Sequence, residues 1–130
     1  MIISIAVYAY FKSFACGAAS FLTGVFLDVD HILDCYMNHG PRFKLEDLSR
    51  FCAEIRFKKL TLIFHSYELI AVLWISIYAF SLGNIWIAMA IGATQHLIFD
   101  RLFNNKIGGL GYFFTFRLIN GFAKEAIIKR

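Results

Sequence analysis

Three short clusters of ionisable residues interrupt otherwise apolar stretches of the sequence. They are Asp28-Val29-Asp30-His31, His65-Ser66-Tyr67-Glu68 and His96-Leu97-Ile98-Phe99-Asp100. An ionisable side chain at the centre of a membrane helix costs roughly 2.5–3.5 kcal/mol on insertion scales, so its presence needs a chemical reason. Imidazoles and carboxylates together are ligands for zinc, manganese and iron. The clusters therefore predict a metal centre.

The spacing within each cluster suits a helix that presents its ligands on one side. The outer ionisable residues of each cluster are three or four positions apart, which places them on one helical face. Inward-facing Glu and His residues of this kind build dinuclear sites in helical bundles, with two cations about 3.5–4 Å apart. We therefore expect a divalent metal, with two ions of zinc, manganese or iron. The candidate ligands are Asp28, Asp30, His31, His65, Glu68, His96 and Asp100, with Asp34 in reserve.

The elements that must position these clusters are predicted to be membrane helices. Of the 130 residues, 59% are hydrophobic and 17% are charged, and the mean hydropathy is +0.63. Soluble domains have roughly 45–50% apolar and about 25% charged residues, and so small a chain could not bury this much apolar surface in water. The composition excludes a disordered chain. It predicts one all-α domain, residues 1–130, embedded in a membrane.

Apolar stretches at residues 2–27, 60–80 and 85–103 predict three transmembrane helices, since about 20 apolar residues cross a bilayer. Residues 45–58 carry apolar side chains at helical spacing, which predicts a cytoplasmic amphipathic helix on the membrane surface. Residues 110–123 are short for a span, and we expect a C-terminal interfacial helix there.

Small residues predict where the membrane helices approach each other. Gly17, Ser20 and Gly24 lie on the helical stripe that ends at Asp28, and Gly92 lies one turn before His96. Small residues at such spacing allow close helix packing. We therefore expect the ligand clusters to face inward and to converge.

Basic residues predict the topology. They are concentrated in residues 31–59 and from Arg101 onwards, and residues 81–84 contain none. The positive-inside rule then places the first two regions in the cytoplasm and the N-terminus and residues 81–84 outside. In a membrane protein, a net charge of +4 indicates topology and lipid contact, so no nucleic-acid partner is expected. The three cysteines have no CxxC spacing and are predicted to be reduced thiols.

The order and spacing of the motifs resemble those of a known family. Leu27-Asp28-Val29-Asp30-His31, His65-Ser66 and His96-Leu97-Ile98-Phe99-Asp100 are similar to motifs of the bacterial membrane-bound metal-dependent hydrolases. The last motif is also similar to the zinc-ligand helix of zinc-dependent phospholipases C. The resemblance implies a multi-pass protein of the bacterial inner membrane with an ancestry in phosphoester cleavage.

Together these features predict a metal-dependent hydrolase that acts on a lipid-linked phosphate ester or pyrophosphate at the cytoplasmic leaflet. A site in the headgroup layer would reach such a bond without extracting the lipid. Glu68 is predicted to be a ligand or the base that deprotonates water. Arg101, Lys106 and Arg117 are candidates to hold the phosphate.

Two other classes of function remain open at this point. His65 and His96 on neighbouring spans could ligate a haem in an electron-transfer protein, although haem would not need the carboxylates beside them. A divalent-cation carrier or small accessory subunit is the third possibility. A carrier would have to form a homo-oligomer, because three spans alone do not enclose a path.

Overall fold

The computed structural model describes residues 2–40, 61–103 and 107–128. Most residues in these ranges are helical, and an antiparallel bridge joins Ile107 and Ile128, so the all-α prediction is confirmed. The predicted amphipathic helix at 45–58 lies outside the described residues. The helices are α1 (Ile2–Phe11), α2 (Phe14–Leu27), α3 (Val29–His39), α4 (Tyr67–Ala79), α5 (Asn84–Phe103), a 3₁₀ turn (Gly109–Tyr112), α6 (Phe114–Ile119) and α7 (Lys124–Ile127).

The prediction of one continuous helix over residues 2–27 is wrong. Lys12 has φ 49°, a left-handed conformation that ends a helix, and the Ser13 side chain accepts a hydrogen bond from the Cys16 backbone N–H to start α2. α1 folds back along α2, with Tyr8 against Gly17. The first residues of α1 therefore lie at the same end of the fold as His96, and not beside residues 81–84.

α2 and α5 form the most extensive helix contact in the described part of the chain. Gly92 of α5 packs directly on the backbone of Ser20, and a Cβ at position 92 would overlap the Ser20 carbonyl group. The predicted close approach at Gly92 is therefore confirmed. Both helices run towards the same end of the fold, where α2 reaches Asp28 and α5 reaches His96.

The second apolar stretch is helical over only part of its predicted length. α4 begins at Tyr67, where the Ser66 side chain accepts a hydrogen bond from the Leu69 N–H. Residues 61–66 before it are irregular, and Leu62 has φ 38°. His65 consequently precedes the helix that carries Glu68, and the prediction that they share a helical face is wrong.

One helical stretch among the described residues, Phe14–Asp34, is long and apolar enough to cross a membrane. It joins α2 to α3 through Asp28, whose backbone is itself helical (φ −64°, ψ −17°). The shorter apolar helices are α1 and α4. The three-span arrangement therefore stays a prediction.

The C-terminal segment is not the single helix predicted for residues 110–123. It consists of the 3₁₀ turn, α6 and α7, and left-handed residues at Gly121 (φ 60°) and Phe122 (φ 58°) follow α6. Its apolar side chains join Leu62 and Leu97 in a buried cluster. This cluster attaches the C-terminal segment to α5 and to the irregular residues before α4.

Candidate metal centre

One ligand atom from each sequence cluster comes to a common point. Asp28, His65 and His96 offer a carboxylate oxygen and two imidazole nitrogens that all lie within 4.8 Å of one another, so this group could hold a metal ion. Asp28 lies at the junction of α2 and α3, His65 in the irregular segment before α4, and His96 on α5. The predicted convergence of the three clusters is confirmed for these residues.

Asp30 fixes the position of His65 through contacts to its backbone and to its ring. Its Oδ2 atom accepts hydrogen bonds from the backbone N–H groups of Phe64 and His65, and it lies 3.2 Å from His65 Nδ1. One turn later, Asp34 Oδ2 accepts hydrogen bonds from the N–H groups of Thr61 (2.9 Å) and Leu62 (3.2 Å). Two buried carboxylates of α3 thus order the segment that carries His65.

The arrangement of the imidazoles suits a cation. With its Nδ1–H directed to Asp30, a neutral His65 presents the lone pair of Nε2. His65 Nε2 lies 3.2 Å from His96 Nε2, which lies 3.4 Å from Asp28 Oδ1. Bonds of about 2.0–2.1 Å to a tetrahedral zinc ion place neighbouring ligand atoms about 3.3 Å apart. Both of these spacings match that requirement, and the third pair of ligand atoms, from Asp28 and His65, lies within the 4.8 Å limit of the group.

The group is open on one side. The His65 side chain is fully buried, whereas 20% of the His96 side chain and 63% of the Asp28 side chain are exposed. A cleft of about 190 Å³ between α1, α2 and α5 reaches both residues, and Ser4, Gly24 and Gln95 contribute to its wall. Three protein ligands with an accessible fourth position are typical of catalytic rather than structural zinc sites.

The other predicted ligands lie around this group and not in it. Asp30 binds the segment of His65, as described above. The His31 ring is 4.8 Å from the His65 ring between centroids. Asp100 accepts a hydrogen bond from the Tyr112 hydroxyl (3.1 Å). The described residues therefore assemble three ligand atoms for one ion, and a second ion stays a prediction.

Glu68 lies away from the group and contacts the C-terminal segment. Its Oε2 accepts a hydrogen bond from the Phe114 N–H (2.9 Å), and its Oε1 accepts from the N–H (3.0 Å) and the hydroxyl (2.8 Å) of Thr115. Both carboxylate oxygens thus bind the first turn of α6. The structure does not bring Glu68 together with Asp28, His65 and His96.

Arg117 is fully buried, and so it is not on a surface that a phosphate could reach. Its Nη2 donates a hydrogen bond to the backbone carbonyl of His65 (3.1 Å). Burial lowers the pKa of the guanidinium, and the charges of Asp30, Glu68 and Asp34 oppose that effect. Its Nε and Nη1 have no hydrogen-bond partner within the described ranges. Of the other predicted phosphate ligands, Arg101 lies beside Gly109 and Lys106 is outside the described residues.

Two residues that bind predicted ligands were not themselves predicted from the sequence. Tyr112 is fully buried, and burial together with Asp100 raises the pKa of its phenol. Thr115 binds Glu68 through two hydrogen bonds. A tyrosine directly after the Gly-rich stretch 108–111 was the available signal for the first, since buried tyrosines need a hydrogen-bond partner. Nothing in the sequence distinguished Thr115.

Comparison with protein-family models, with curated proteins and with solved structures finds no match for this chain. Within the residues that the structure describes, the fold and the site define a helical protein with one candidate membrane-crossing helix and a candidate Asp/His/His metal group.

Proposed function

We propose that this protein is a membrane-embedded metal-dependent hydrolase, and that Asp28, His65 and His96 hold its divalent ion. The observation that supports this most directly is the meeting of three ligand atoms, from three separate segments, within 4.8 Å. The contact between His65 Nδ1 and the Asp30 carboxylate also supports the proposal, since metal-binding histidines usually donate their second ring N–H to a carboxylate or carbonyl.

The chemistry follows from the open side of the group. A zinc-type ion with three protein ligands lowers the pKa of a bound water to about 7 and supplies a nucleophile at neutral pH. Asp30 keeps the His65 ring in the tautomer that presents Nε2. The exposed side of Asp28 and the adjoining cleft leave room for water and for a substrate oxygen.

Several features favour a bilayer as the environment. Only 22% of the apolar window in Phe14–Asp34 is buried inside the fold, whereas the core helix of a soluble protein is mostly buried. On α4, the apolar residues Val72, Ile75 and Tyr78 recur every third position and are all exposed. In our proposal these surfaces face lipid, and residues 60–80 and 85–103 supply the second and third spans.

The irregular part of the second span is compatible with this environment. α4 alone covers about 20 Å at 1.5 Å per residue, short of the roughly 30 Å of a bilayer core. Non-helical backbone is tolerated at membrane depth only where protein satisfies its polar groups. Asp30 and Asp34 accept hydrogen bonds from four backbone N–H groups of residues 61–66. Residues 61–66 therefore extend the span without leaving those N–H groups unpaired.

The proposed substrate is a lipid-linked phosphate ester or pyrophosphate, and the proposed location is the cytoplasmic leaflet of the bacterial inner membrane. The site lies at the polar end of α2, where the chain passes from apolar residues to Asp28 and Asp30. That position suits a bond in the headgroup layer. Arg117 is buried, and a divalent ion held by Asp28, His65 and His96 would supply the positive charge for the phosphate oxygens.

The imidazole geometry favours this function over haem binding. Two axial nitrogens on a haem iron, each about 2 Å from it, are about 4 Å apart across the porphyrin plane. His65 Nε2 and His96 Nε2 are 3.2 Å apart, which suits neighbouring ligands of one ion. Metal binding without hydrolysis would instead support a cation carrier.

The test combines metal analysis with an activity assay on the purified full chain. We expect the wild-type protein to contain zinc, manganese or iron, to lack a Soret band and to hydrolyse a lipid phosphate ester. His65→Ala and His96→Ala should lose both metal and turnover, while Glu125→Gln, at an exposed residue of α7, should keep both. Metal retained at the wild-type level in the two histidine variants would exclude the proposed centre. A haem spectrum that disappears in those variants would establish the alternative.

A further inference from the structure

We propose that Glu68 and Arg117 are positioning residues through which the folded C-terminal segment, residues 107–128, forms the His65 side of the metal centre. This inference rests on the proposed metal centre and concerns how that centre is assembled. It assigns both residues a role different from that of a base or a phosphate ligand.

His65 has no support from a helix of its own. It lies in the irregular segment 61–66, so no helical hydrogen-bond ladder fixes its backbone. Asp30 and Asp34 bind N–H groups of this segment from α3. The His65 carbonyl accepts a hydrogen bond from Arg117 Nη2 of α6 at 3.1 Å. The orientation of the imidazole thus depends on α3 and on α6 together.

The position of Arg117 depends on the contacts that hold α6. α6 has six residues, too few to be stable alone, so other contacts must hold it in place. Glu68 supplies three hydrogen bonds to Phe114 and Thr115 in the first turn of α6. Glu68 is itself three residues after His65 at the start of α4. A closed loop of contacts results, from His65 along the chain to Glu68, across to α6, and back through Arg117 to the His65 carbonyl.

The charges around Arg117 also connect it to the His65 segment. Arg117 is fully buried, and a buried cation requires nearby negative charge. The carboxylates whose charges favour it are Asp30, Glu68 and Asp34. These are the same residues that bind the His65 segment and α6. Removing the guanidinium would therefore leave the buried Asp30 and Asp34 without their cation and would disturb the support of His65.

Thermodynamic linkage makes this proposal measurable without any substrate. If docking of residues 107–128 strengthens metal binding, metal binding must strengthen docking by the same factor. Outer residues that orient metal ligands typically change metal affinity 10–100-fold when mutated. Neither Glu68 nor Arg117 belongs to the three-residue metal group, so an effect of that size would have to act through His65.

The experiment measures Zn²⁺ affinity of the full chain in detergent by competition with a chelator. Glu68→Gln and Arg117→Met should bind Zn²⁺ about 10–100-fold more weakly, and Arg117→Lys should recover part of the loss because it restores the charge. In the Co²⁺-loaded protein, both weakened variants should show an altered visible absorption spectrum. Glu125→Gln, which removes a charge elsewhere in the segment at an exposed position, is the control and should keep the wild-type affinity and spectrum.

Hydrogen exchange on the wild-type protein gives the reciprocal measurement and does not depend on any variant folding. Zn²⁺ should slow exchange of the Phe114 and Thr115 amides, which Glu68 binds. Unchanged exchange at these amides, or folded Glu68→Gln and Arg117→Met proteins with wild-type Zn²⁺ affinity and Co²⁺ spectrum, would overturn the proposal. If those variants keep the metal while His65→Ala and His96→Ala lose it, the metal centre stands and only the positioning role is wrong. If the histidine variants keep it as well, the proposed function fails.

Discussion

Replacing Asp30 by Asn should weaken both the fold and metal binding, although Asp30 is not one of the three grouped ligands. Its Oδ2 serves three donors, the N–H groups of Phe64 and His65 and the Nδ1–H of His65. Asn keeps one oxygen for these donors but loses the charge. Hydrogen bonds to a charged group contribute about 1.5–3 kcal/mol each, against about 1 kcal/mol for neutral ones. The difference is about 0.5–2 kcal/mol per bond, so over three bonds we expect a loss of about 1.5–6 kcal/mol in the free energy of unfolding.

The effect on Zn²⁺ affinity should be about 10–100-fold, as for other residues that orient a histidine ligand. The assay is thermal unfolding of the metal-free protein in detergent, followed by tryptophan fluorescence, together with Zn²⁺ competition. Asp28→Asn is the matched control, because the same chemical change at a largely exposed ligand should abolish tight Zn²⁺ binding and leave the metal-free stability unchanged. Wild-type stability and affinity in Asp30→Asn would refute the reasoning.

Gly92→Ala should destabilise the protein by about 1–3 kcal/mol and reduce metal content, because its Cβ would overlap the Ser20 backbone. Gly24→Ala should instead stabilise α2 by up to about 1 kcal/mol, because no atom lies within 4 Å of the added carbon. Equal effects of the two variants on thermal unfolding would contradict the packing described. The raised pKa of the Tyr112 phenol, caused by burial and then by its carboxylate neighbour, means that ionisation opposes folding. Stability should therefore hold up to the ordinary phenol value of 10.0 and fall above it, and Tyr112→Phe should show a smaller alkaline loss; an identical alkaline profile would disprove the contribution. A single cysteine at Gly83, in a chain without its natural cysteines, should react only with reagent added outside the cell, and labelling only from the cytoplasmic side would reverse the topology.

The sequence alone included the three residues that meet in the structure among its seven candidate ligands. Asp28, His65 and His96 stand out because ionisable residues are costly within apolar stretches, and that signal does not depend on the fold. Gly92 was likewise identifiable as a contact position, since a residue without a side chain on a helix face has few other uses. The all-α class follows from the same apolar stretches.

The boundaries of the helices were less predictable. Residues 2–27 contain neither Pro nor a charged cluster, so the break at Lys12 and Ser13 has only a weak local signal. Its physical basis is the packing of α1 back onto α2, with Tyr8 against Gly17. Residues 61–66 are irregular for a similar reason, since Asp30 and Asp34, about 30 positions earlier, satisfy their N–H groups in place of a helical ladder.

Only the tertiary structure decided where Glu68 and Arg117 lie. From the sequence, a carboxylate three residues after His65 and an arginine in an apolar segment are equally compatible with metal, phosphate or structural contacts. The fold brings Glu68 to Thr115, 47 positions later, and Arg117 to the His65 carbonyl, 52 positions earlier. The packing of residues 107–128 against α5 and residues 61–66 determines which of these distant residues become hydrogen-bond partners. Residue type and spacing encode which side chains can bind a metal, whereas the partner that each one meets depends on how distant segments pack.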